Sequence, residues 1–265
     1  MGYWMGKRVL VTGACRGLGL VIAKELLNLG ARVVIHSNST RLPNDELVLK
    51  ALENGQALHV RADLCSVSEI YAMMNDVLAG FGGIDGLIHN AGISAYGSFL
   101  ETSESTFQQV MNTNLNGVVV LTKAALPSLI TNQGSILFIS SLAAIHGVPN
   151  YVSYSVSKAA LVPLQEALEL ELKPHAVHVG LIYLGFVEND EHKYSLSAGG
   201  DKIPVPKRNI RTKITKERAA QKVLWAIEYK KRKAYGDFSG RLMRFINGVF
   251  PGVLRGLLSK NLNKT

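Results

Sequence analysis

Short apolar runs alternate along this chain with longer stretches that have the apolar spacing of an amphipathic helix. This alternation is typical of βαβ units, which build a parallel sheet with helices on its faces. We predict strands at Lys7–Thr12, Arg32–His36, Ala57–Arg61, Leu87–His89, Ser135–Ser140, His178–Tyr183 and Ala234–Asp237. We predict helices at Leu18–Leu29, Ser66–Gly80, Ser103–Ser128, Tyr154–Leu172 and Thr215–Tyr229. The pattern predicts an α/β fold with a doubly wound parallel sheet.

The length and composition of the chain fit one such domain. It has 265 residues, and single α/β domains often reach roughly 250. With 47% hydrophobic and 18% charged residues, the composition excludes a disordered chain. Two cysteines, Cys15 and Cys65, are too few for a disulfide framework. Because no run approaches about 20 apolar residues and Met1–Lys7 is too short for a signal peptide, we expect a cytoplasmic protein without a membrane-spanning helix.

A glycine-rich loop follows the first strand directly and opens the first helix. It covers residues 12–19, with glycines at Gly13, Gly17 and Gly19. Glycines let the backbone turn tightly and approach a pyrophosphate, while the helix N-terminus offers free N–H groups and a partial positive charge. The spacing differs from the usual Gly-x-Gly-x-x-Gly pattern, so a purely structural turn is the alternative. In this context the loop favours a Rossmann-like fold that binds a dinucleotide.

The end of the second strand bears on the choice of dinucleotide. An acid there would hold the ribose 2′-hydroxyl of NAD. The strand runs instead into His36, Ser37 and Asn38, without an acid. Arg16 in the glycine loop carries a guanidinium that suits a phosphate, although it also fits an ordinary solvated charge. These features favour NADP(H), with NAD(H) as the alternative.

A tyrosine and a lysine, Tyr154 and Lys158, lie four residues apart and share one face of a predicted helix. A phenol titrates near ~10 in water, and a neighbouring ammonium lowers that pKa by stabilising the phenolate. Such a tyrosine can give a proton to a ketone oxygen, or take one from an alcohol, near neutral pH. Two other pairs share this spacing. Tyr154 differs because it follows a strand that ends in Ser140-Ser141, and strand C-termini line the ligand crevice of a parallel sheet.

Five motifs together resemble the short-chain dehydrogenase/reductase family in order and separation, over nearly the whole chain. They are the glycine loop at 12–19, His-Asn-Ala-Gly at 89–92, Asn-Leu-Asn-Gly at 114–117, Ser-Ser at 140–141 and Tyr-Ser-Val-Ser-Lys at 154–158. The resemblance implies that Tyr154 is the acid/base and that Lys158 lowers its pKa and binds the nicotinamide ribose. It also implies that Ser141 orients the carbonyl and that Asn114 completes a proton relay through water to Lys158.

The family resemblance and the local sequence together predict where a dinucleotide would bind. The cofactor-binding candidates are Gly13, Arg16, Gly17, Leu18, Gly19, Ser37, Asp63, Leu64, Asn90, Ala91, Gly92, Tyr154, Lys158, Gly185 and Val187. Asp63 occupies the position where the family approaches the adenine. The chain departs from the family pattern after the sixth strand, with Leu184-Gly185 in place of Pro-Gly and Asn189 in place of threonine. No metal site is predicted.

Two segments fall outside these motifs. Residues 187–212 are polar and without clear period, which is typical of a lid, so we predict a substrate-binding loop within a catalytic domain at 1–240. Residues 202–265 hold 17 lysines and arginines against 3 acids. Within them, 241–265 has helical apolar spacing interrupted at Pro251-Gly252. We expect this basic amphipathic segment to contact an anionic membrane peripherally, or else to cover the substrate cleft or another subunit.

The sequence therefore predicts an NADP(H)-dependent oxidoreductase that interconverts a ketone or aldehyde and an alcohol. The apolar side chains near the site, with the tail, favour a lipophilic substrate such as a steroid, retinoid, sphingoid base or acyl-chain ketone. These side chains are Leu142, Ile145, Val148 and Phe186. The alternative is a non-catalytic dinucleotide-binding sensor or a protein-interaction module.

The predicted helices at 103–128 and 154–172 resemble those that pair subunits in this family, which implies a homodimer or homotetramer. Nucleic-acid binding is not favoured. The basic run Lys230–Lys233 lies at a predicted helix end, without the interleaved aromatic residues of a nucleic-acid module.

Overall fold

A parallel sheet with helices on both faces forms the centre of the molecule, in a computed structural model that describes residues 2–39, 42–188, 193–206, 213–252, 255 and 256. The strands are β1 (Arg8–Val11), β2 (Arg32–Ser37), β3 (Ala57–Arg61), β4 (Gly86–His89), β5 (Ala95–Tyr96), β6 (Ser135–Ser141), β7 (His178–Leu184), β8 (Tyr194–Ser197), β9 (Lys202–Pro204) and β10 (Lys233–Tyr235). The α-helices are α1 (Gly17–Asn28), α2 (Glu46–Glu53), α3 (Val67–Phe81), α4 (Glu104–Met111), α5 (Gly117–Thr131), α6 (Val152–Leu172), α7 (Lys216–Glu228) and α8 (Phe238–Val249).

Seven strands form the main sheet in the order β10-β7-β6-β4-β1-β2-β3. All of their pairings are parallel; Val11, for example, lies beside Ile35 of β2 and Ile88 of β4. The chain builds outward from β1 through β2 and β3, and then in the opposite direction from β4. The strand order therefore reverses between β1 and β4, which is where ligands bind in such sheets. The predicted doubly wound sheet is confirmed.

The strands are apolar on both faces because helices cover both. On β1, Val9 and Val11 pack into the core on the side of α1 and α7, whereas Leu10 packs into the core on the side of α3 and α5. Side chains alternate along a strand, so a central parallel strand requires an unbroken apolar run. No helix in the described ranges is both long and apolar enough to cross a membrane.

Two helical regions differ from the sequence prediction. The prediction left out α2, which begins where Asp45 accepts a hydrogen bond from Val48 N at 3.3 Å. The predicted single helix at 103–128 is interrupted by a π-helical turn at Asn112–Asn116. There Asn114 is fully buried and bonds the backbone of Ile93 on another segment. Such turns insert one extra residue into a helix and are frequent at functional sites.

Two predicted segments have more regular structure than their sequence indicates. The segment 187–212, expected to be irregular, contains β8 and β9, which form a hairpin and join β5 in a second, three-stranded sheet. We call this the β8–β9 hairpin; residues 189–192 and 207–212 lie outside the described part of the chain. Helix α8 begins at Phe238, so the predicted division between 240 and 241 falls inside a helix. Beyond Gly252, only 255 and 256 of the predicted tail are described.

Candidate active site

The glycine loop between β1 and α1 has the tight geometry that its sequence predicts. Gly13 and Gly17 adopt φ values of 64° and 57°, in the left-handed region that favours glycine. A Cβ on Gly19 would lie only 2.2 Å from the carbonyl oxygen of Gly13. The loop therefore packs against the first turn of α1, whose leading N–H groups have no intrahelical partners. Arg16 occupies the N-cap position of that helix without a side-chain cap bond.

A buried histidine holds this loop in place. His36 Nδ1 accepts a hydrogen bond from Gly13 N at 3.2 Å, and its Nε2 lies 3.0 Å from the carbonyl oxygen of Ala62. Burial lowers the pKa of His36 to about 4, so the imidazole is neutral at physiological pH. From the sequence alone, His36 is informative only because it is not an acid. The sequence feature that could have indicated this role is the position of His36 at the end of β2, since β2 pairs with β1 and its end lies beside the glycine loop.

The loop after β4 is bonded to the glycine loop across the reversal of strand order. Thr12 Oγ1 accepts hydrogen bonds from Asn90 N at 3.0 Å and Ala91 N at 2.9 Å. Asn90 Nδ2 in turn donates to the carbonyl oxygens of Thr12 and Gly13, at 2.8 and 3.2 Å. The two predicted cofactor-binding motifs therefore form one hydrogen-bonded unit.

The ends of β2 and β3 carry the residues predicted to face the adenosine of a dinucleotide. Ser37 Oγ donates to the carbonyl oxygen of Ser39 at 2.6 Å and lies 3.1 Å from His59 Nε2. Asp63 accepts from Cys65 N at 2.9 Å, while the adjacent Leu64 is buried. No carboxylate belongs to β2, so its end lacks the acid that typically binds the ribose hydroxyls of NAD.

Helix α6 carries Tyr154 and Lys158 on one face, as predicted. The Lys158 side chain is buried, donates to the carbonyl oxygen of Ile139 at 2.9 Å, and places Nζ 6.0 Å from the centre of the Tyr154 ring. Burial and, to a smaller extent, the positive charge of Lys193 lower the pKa of Lys158 to about 8. The ammonium is still the major form at pH 7, so a positive charge lies beside the tyrosine.

Asn114 and Lys158 approach the same point above Gly92. A Cβ on Gly92 would lie 3.2 Å from Asn114 Oδ1 and 3.3 Å from Lys158 Nζ. Asn114 Nδ2 also donates to Ser157 Oγ at 3.0 Å, and Ser157 Oγ donates to the carbonyl oxygen of Tyr154 at 2.8 Å. The π-helical turn is thereby connected to the helix that carries the tyrosine.

The remaining predicted catalytic residue, Ser141, is the last residue of β6. The preceding Ser140 donates through Oγ to the carbonyl oxygen of Lys158 at 3.0 Å, which joins the end of β6 to α6. Ser141 Oγ accepts from Ala143 N at 3.2 Å and caps a short 3-10 turn. Its hydroxyl proton is not used in that bond, so it is available to a substrate oxygen.

The segment after β7 closes the same side of the site. A Cβ on Gly185 would lie 3.3 Å from the side chain of Leu142, so the two loops touch. Val187 pairs with Ile214 in an isolated parallel bridge that joins the two ends of the predicted loop. Asn189, the predicted departure from the family pattern, lies outside the described residues.

Every predicted catalytic and cofactor-binding residue therefore lies at the carboxyl end of a strand of the main sheet or on a helix packed against it. The site can hold a dinucleotide on donor groups and glycine backbone at the reversal of strand order. It can also move a proton at the Tyr154 hydroxyl. In the described ranges, no three His, Cys, Asp or Glu side chains group together as metal ligands. Cys15 and Cys65 are free thiols, and burial raises the pKa of both.

Comparison with known proteins places this arrangement in a family. The family model for short chain dehydrogenases matches residues 7–198. Dehydrogenase/reductase SDR family member 7B of Xenopus tropicalis is 34% identical, over 97% of this chain and 85% of the relative. The 3-oxoacyl-acyl-carrier-protein reductase FabG of Buchnera aphidicola is 33% identical, over 79% of this chain and 87% of the relative.

A solved structure agrees with the sequence relatives. A short chain dehydrogenase from Burkholderia cenocepacia, in complex with NADP, superposes with a TM-score of 0.79 at 25% identity. The match covers 96% of this chain and 98% of that one. The likeness therefore includes the glycine loop, the strand ends and α6 rather than the sheet alone.

Proposed function

This chain belongs to the short-chain dehydrogenase family, and from that premise we propose that it is an NADP(H)-dependent oxidoreductase of lipophilic carbonyls or alcohols. As a member of the family it acts on C–OH and C=O groups with a nicotinamide dinucleotide. The buried Lys158 ammonium beside Tyr154, at the edge of the sheet where the glycine loop lies, is the observation that carries the proposal.

The chain's own residues supply proton transfer and orientation. When bound, the dinucleotide supplies or accepts the hydride. Tyr154 gives a proton to the developing alkoxide in reduction, because the Lys158 ammonium stabilises the phenolate that remains. Ser141 donates a hydrogen bond from its hydroxyl to the same substrate oxygen, which orients the carbonyl, and keeps its proton. Asn114, next to Lys158 Nζ, completes a relay through water that returns a proton to the site.

The adenosine side of the cleft favours NADP(H). Ser37 stands at the end of β2, where an acid would repel a 2′-phosphate, and Arg16 lies in the facing glycine loop. A guanidinium binds phosphate through two parallel hydrogen bonds. The NADP complex of the Burkholderia relative supports this preference. NAD(H) is expected to bind more weakly.

The substrate side is apolar. Phe186, after β7, is 43% exposed, and the partly buried Leu142 follows Ser141 on the loop that α8 contacts. Such a surface favours a steroid, retinoid, sphingoid base or acyl-chain carbonyl over a small polar substrate.

Helix α8 supports delivery of such substrates from a membrane. Its exposed apolar side chains lie on one stripe, at Phe238, Leu242, Phe245 and Val249. Arg241 and Arg244 flank the stripe, so its charge complements anionic lipid. Asn247, on the inner side, donates to the carbonyl oxygen of Ile145 at 3.0 Å, which joins α8 to the loop that follows Ser141 and supports a role for α8 in substrate delivery. The proposed location is the cytoplasm, with peripheral membrane contact.

Flotation with vesicles tests this contact. Binding is expected to vesicles that contain phosphatidylserine at low salt, and to fall in a variant with Phe238→Ser and Phe245→Ser. Tyr71→Ser, an exposed position on α3, is the matched control. If the protein does not bind these vesicles at low salt, the proposed membrane contact is wrong. The role of α8 would then be to cover the substrate cleft or to contact another subunit.

We expect a homodimer or homotetramer built on α5 and α6. Val156 and Leu170 on α6 are exposed apolar residues fourteen positions apart, which is about four helical turns, so they share one face. Sedimentation equilibrium of the full chain should give twice or four times the 28.8 kDa monomer mass. A change of both residues to serine should release monomers.

Turnover with a ketone panel tests the catalytic assignment. The purified protein should oxidise NADPH in the presence of lipophilic ketones, and Tyr154→Phe should lower kcat at least about a hundredfold, the contribution typical of a general acid. Tyr71→Phe should retain the parent rate. Full activity in Tyr154→Phe would show that the acid is wrongly assigned. NADPH binding without turnover on any substrate would instead favour the sensor.

A further inference from the structure

The residues after Ser141 form a short loop that includes its hydroxyl in a hydrogen-bonded turn. We call residues 142–146 the serine loop. It begins with the 3-10 turn that Ser141 Oγ caps by accepting a hydrogen bond from Ala143 N at 3.2 Å. Ile145 N then donates to the carbonyl oxygen of Leu142 at 3.0 Å, and Ile145 is buried. Because Ser141 Oγ takes part in this turn, the position of the serine loop helps to determine where its hydroxyl proton points.

One side chain of α8 binds the far end of the serine loop through both ends of its amide. Asn247 Nδ2 donates to the carbonyl oxygen of Ile145 at 3.0 Å. Asn247 Oδ1 lies 3.2 Å from His146 Nδ1, and since a carbonyl oxygen only accepts, Nδ1 carries the proton and donates. The reverse orientation of the amide would bring two oxygens together at Ile145. Asn247 is therefore held in one orientation, with both of its bonds made to the serine loop.

Apolar contacts bring α8 against the same loop. A Cβ on Gly240 would lie 3.0 Å from the Leu142 side chain, so the first turn of α8 approaches the loop closely. Met243 packs against the same core cluster as Leu142 and Ala144. Gly240, Met243 and Asn247 are separated by three and then four positions, so they share one face of α8. Since apolar contacts are non-directional, the two bonds of Asn247 determine where the serine loop is held along this face.

We propose that Asn247 is a positioning residue for the carbonyl chemistry: it holds the serine loop so that the Ser141 hydroxyl points at the substrate oxygen. This inference rests on the proposed function, in which Ser141 orients the carbonyl, and extends it to a residue of α8. Asn247 acts through Ser141 and not on the reacting atoms. A small displacement is sufficient, because a misplacement of about 1 Å in a catalytic group can cost about a hundredfold in rate.

Single-turnover oxidation of enzyme-bound NADPH tests the proposal on the full chain. Measured at increasing concentrations of a ketone that the parent reduces, it gives a limiting rate and a half-saturating concentration. Asn247→Leu removes both bonds and should lower the limiting rate between about tenfold and a hundredfold. The dissociation constant for NADPH, from fluorescence titration, should not change, which also shows that the variant is folded. Asn75→Leu, at an exposed position on α3, is the matched control and should retain the parent rate.

Asn247→Asp provides a second variant at the same position. It keeps the acceptor for His146 but cannot donate to the carbonyl oxygen of Ile145, so it should also lower the limiting rate. Asn247→Gln keeps the amide and should recover part of the rate. An unchanged limiting rate in both Asn247→Leu and Asn247→Asp would overturn the proposal. A higher half-saturating ketone concentration at the parent rate would also overturn it, because α8 would then affect only substrate binding.

A double-mutant cycle shows whether Asn247 acts through Ser141. Ser141→Ala removes the hydroxyl, so adding Asn247→Leu to it should not lower the limiting rate any further. If Asn247→Leu lowers the rate by the same factor with and without the Ser141 hydroxyl, its effect arises elsewhere and the proposal is wrong.

Ser141→Ala alone separates this inference from the proposed function. If Ser141→Ala lowers the limiting rate and the Asn247 variants do not, the proposed function holds and only the role of Asn247 fails. If Ser141→Ala retains the parent rate, the serine is wrongly assigned and the role of Asn247 fails with it. Absence of turnover on every ketone would refute the proposed function and this inference together.

Discussion

Replacing Lys158 with methionine is expected to separate stability from activity. Burial, with a smaller contribution from the charge of Lys193, lowers the pKa of this ammonium from 10.5 to about 8. A decrease of this size corresponds to about 3 kcal/mol of folding free energy at pH 7, since the charged form is disfavoured in the folded state. The substitution also removes the donor to the carbonyl oxygen of Ile139, which costs ~1–3 kcal/mol. Lys158→Met should therefore be inactive yet at least as stable as the parent at neutral pH.

The pH dependence isolates the contribution of the charge. As pH rises through 8, the folded protein releases the Lys158 proton, whereas the unfolded chain keeps it until about 10.5. The unfolded state then binds more protons, so the free energy of unfolding of the parent rises with pH in this window. From pH 7 to pH 9.5 the parent should gain roughly 2 kcal/mol relative to Lys158→Met.

Urea denaturation followed by far-UV circular dichroism at both pH values measures this difference. Lys173→Met, at an exposed position, is the matched control and should follow the parent at each pH. Other titrating groups are common to all three proteins, so their effects cancel in the comparison. If the parent and Lys158→Met show the same pH dependence, the ammonium is not penalised by burial and the reasoning is refuted.

Three further substitutions test the loop and the sheet. Gly19→Ala places a Cβ 2.2 Å from Gly13 O and should weaken NADPH binding at least about tenfold in a fluorescence titration, whereas Gly248→Ala, with open space around it, should not. His36→Leu removes the acceptor for Gly13 N and should weaken NADPH about fivefold, with partial rescue in His36→Gln. Arg8→Met leaves the Asp85 carboxylate without its ion pair and should lower the urea-derived free energy of unfolding by about 2 kcal/mol at pH 7, with NADPH affinity unchanged.

Much of the candidate site could be predicted because its motifs stand at strand ends. The glycine loop after β1 and the serines at the end of β6 follow from local pattern, whereas the choice of Ser141 and the roles of Tyr154 and Lys158 are what the family resemblance implies. Parallel strands bring their carboxyl ends to one edge, so residues far apart in the chain fall into one cleft once the strand order is known.

Features that depend on packing between distant segments escaped the prediction. The π-helical turn arises because Asn114 bonds the backbone of Ile93, and His36 acts on Gly13 because β2 lies beside β1. Residues 194–204 have too few buried positions to reveal a hairpin by their period. In each case the residue that makes the contact is too far away in the sequence to belong to the same local pattern of apolar and polar residues.

The sequence by itself determined the order of the seven strands of the main sheet, the faces that they bury and the chemical groups available at the sheet edge. Only the tertiary structure decided that the Lys158 ammonium is buried, that His36 is neutral, and that Tyr194 meets Arg16. The physical reason is that apolar spacing is a local property of the chain, whereas desolvation and contact are set by every segment packed around a group.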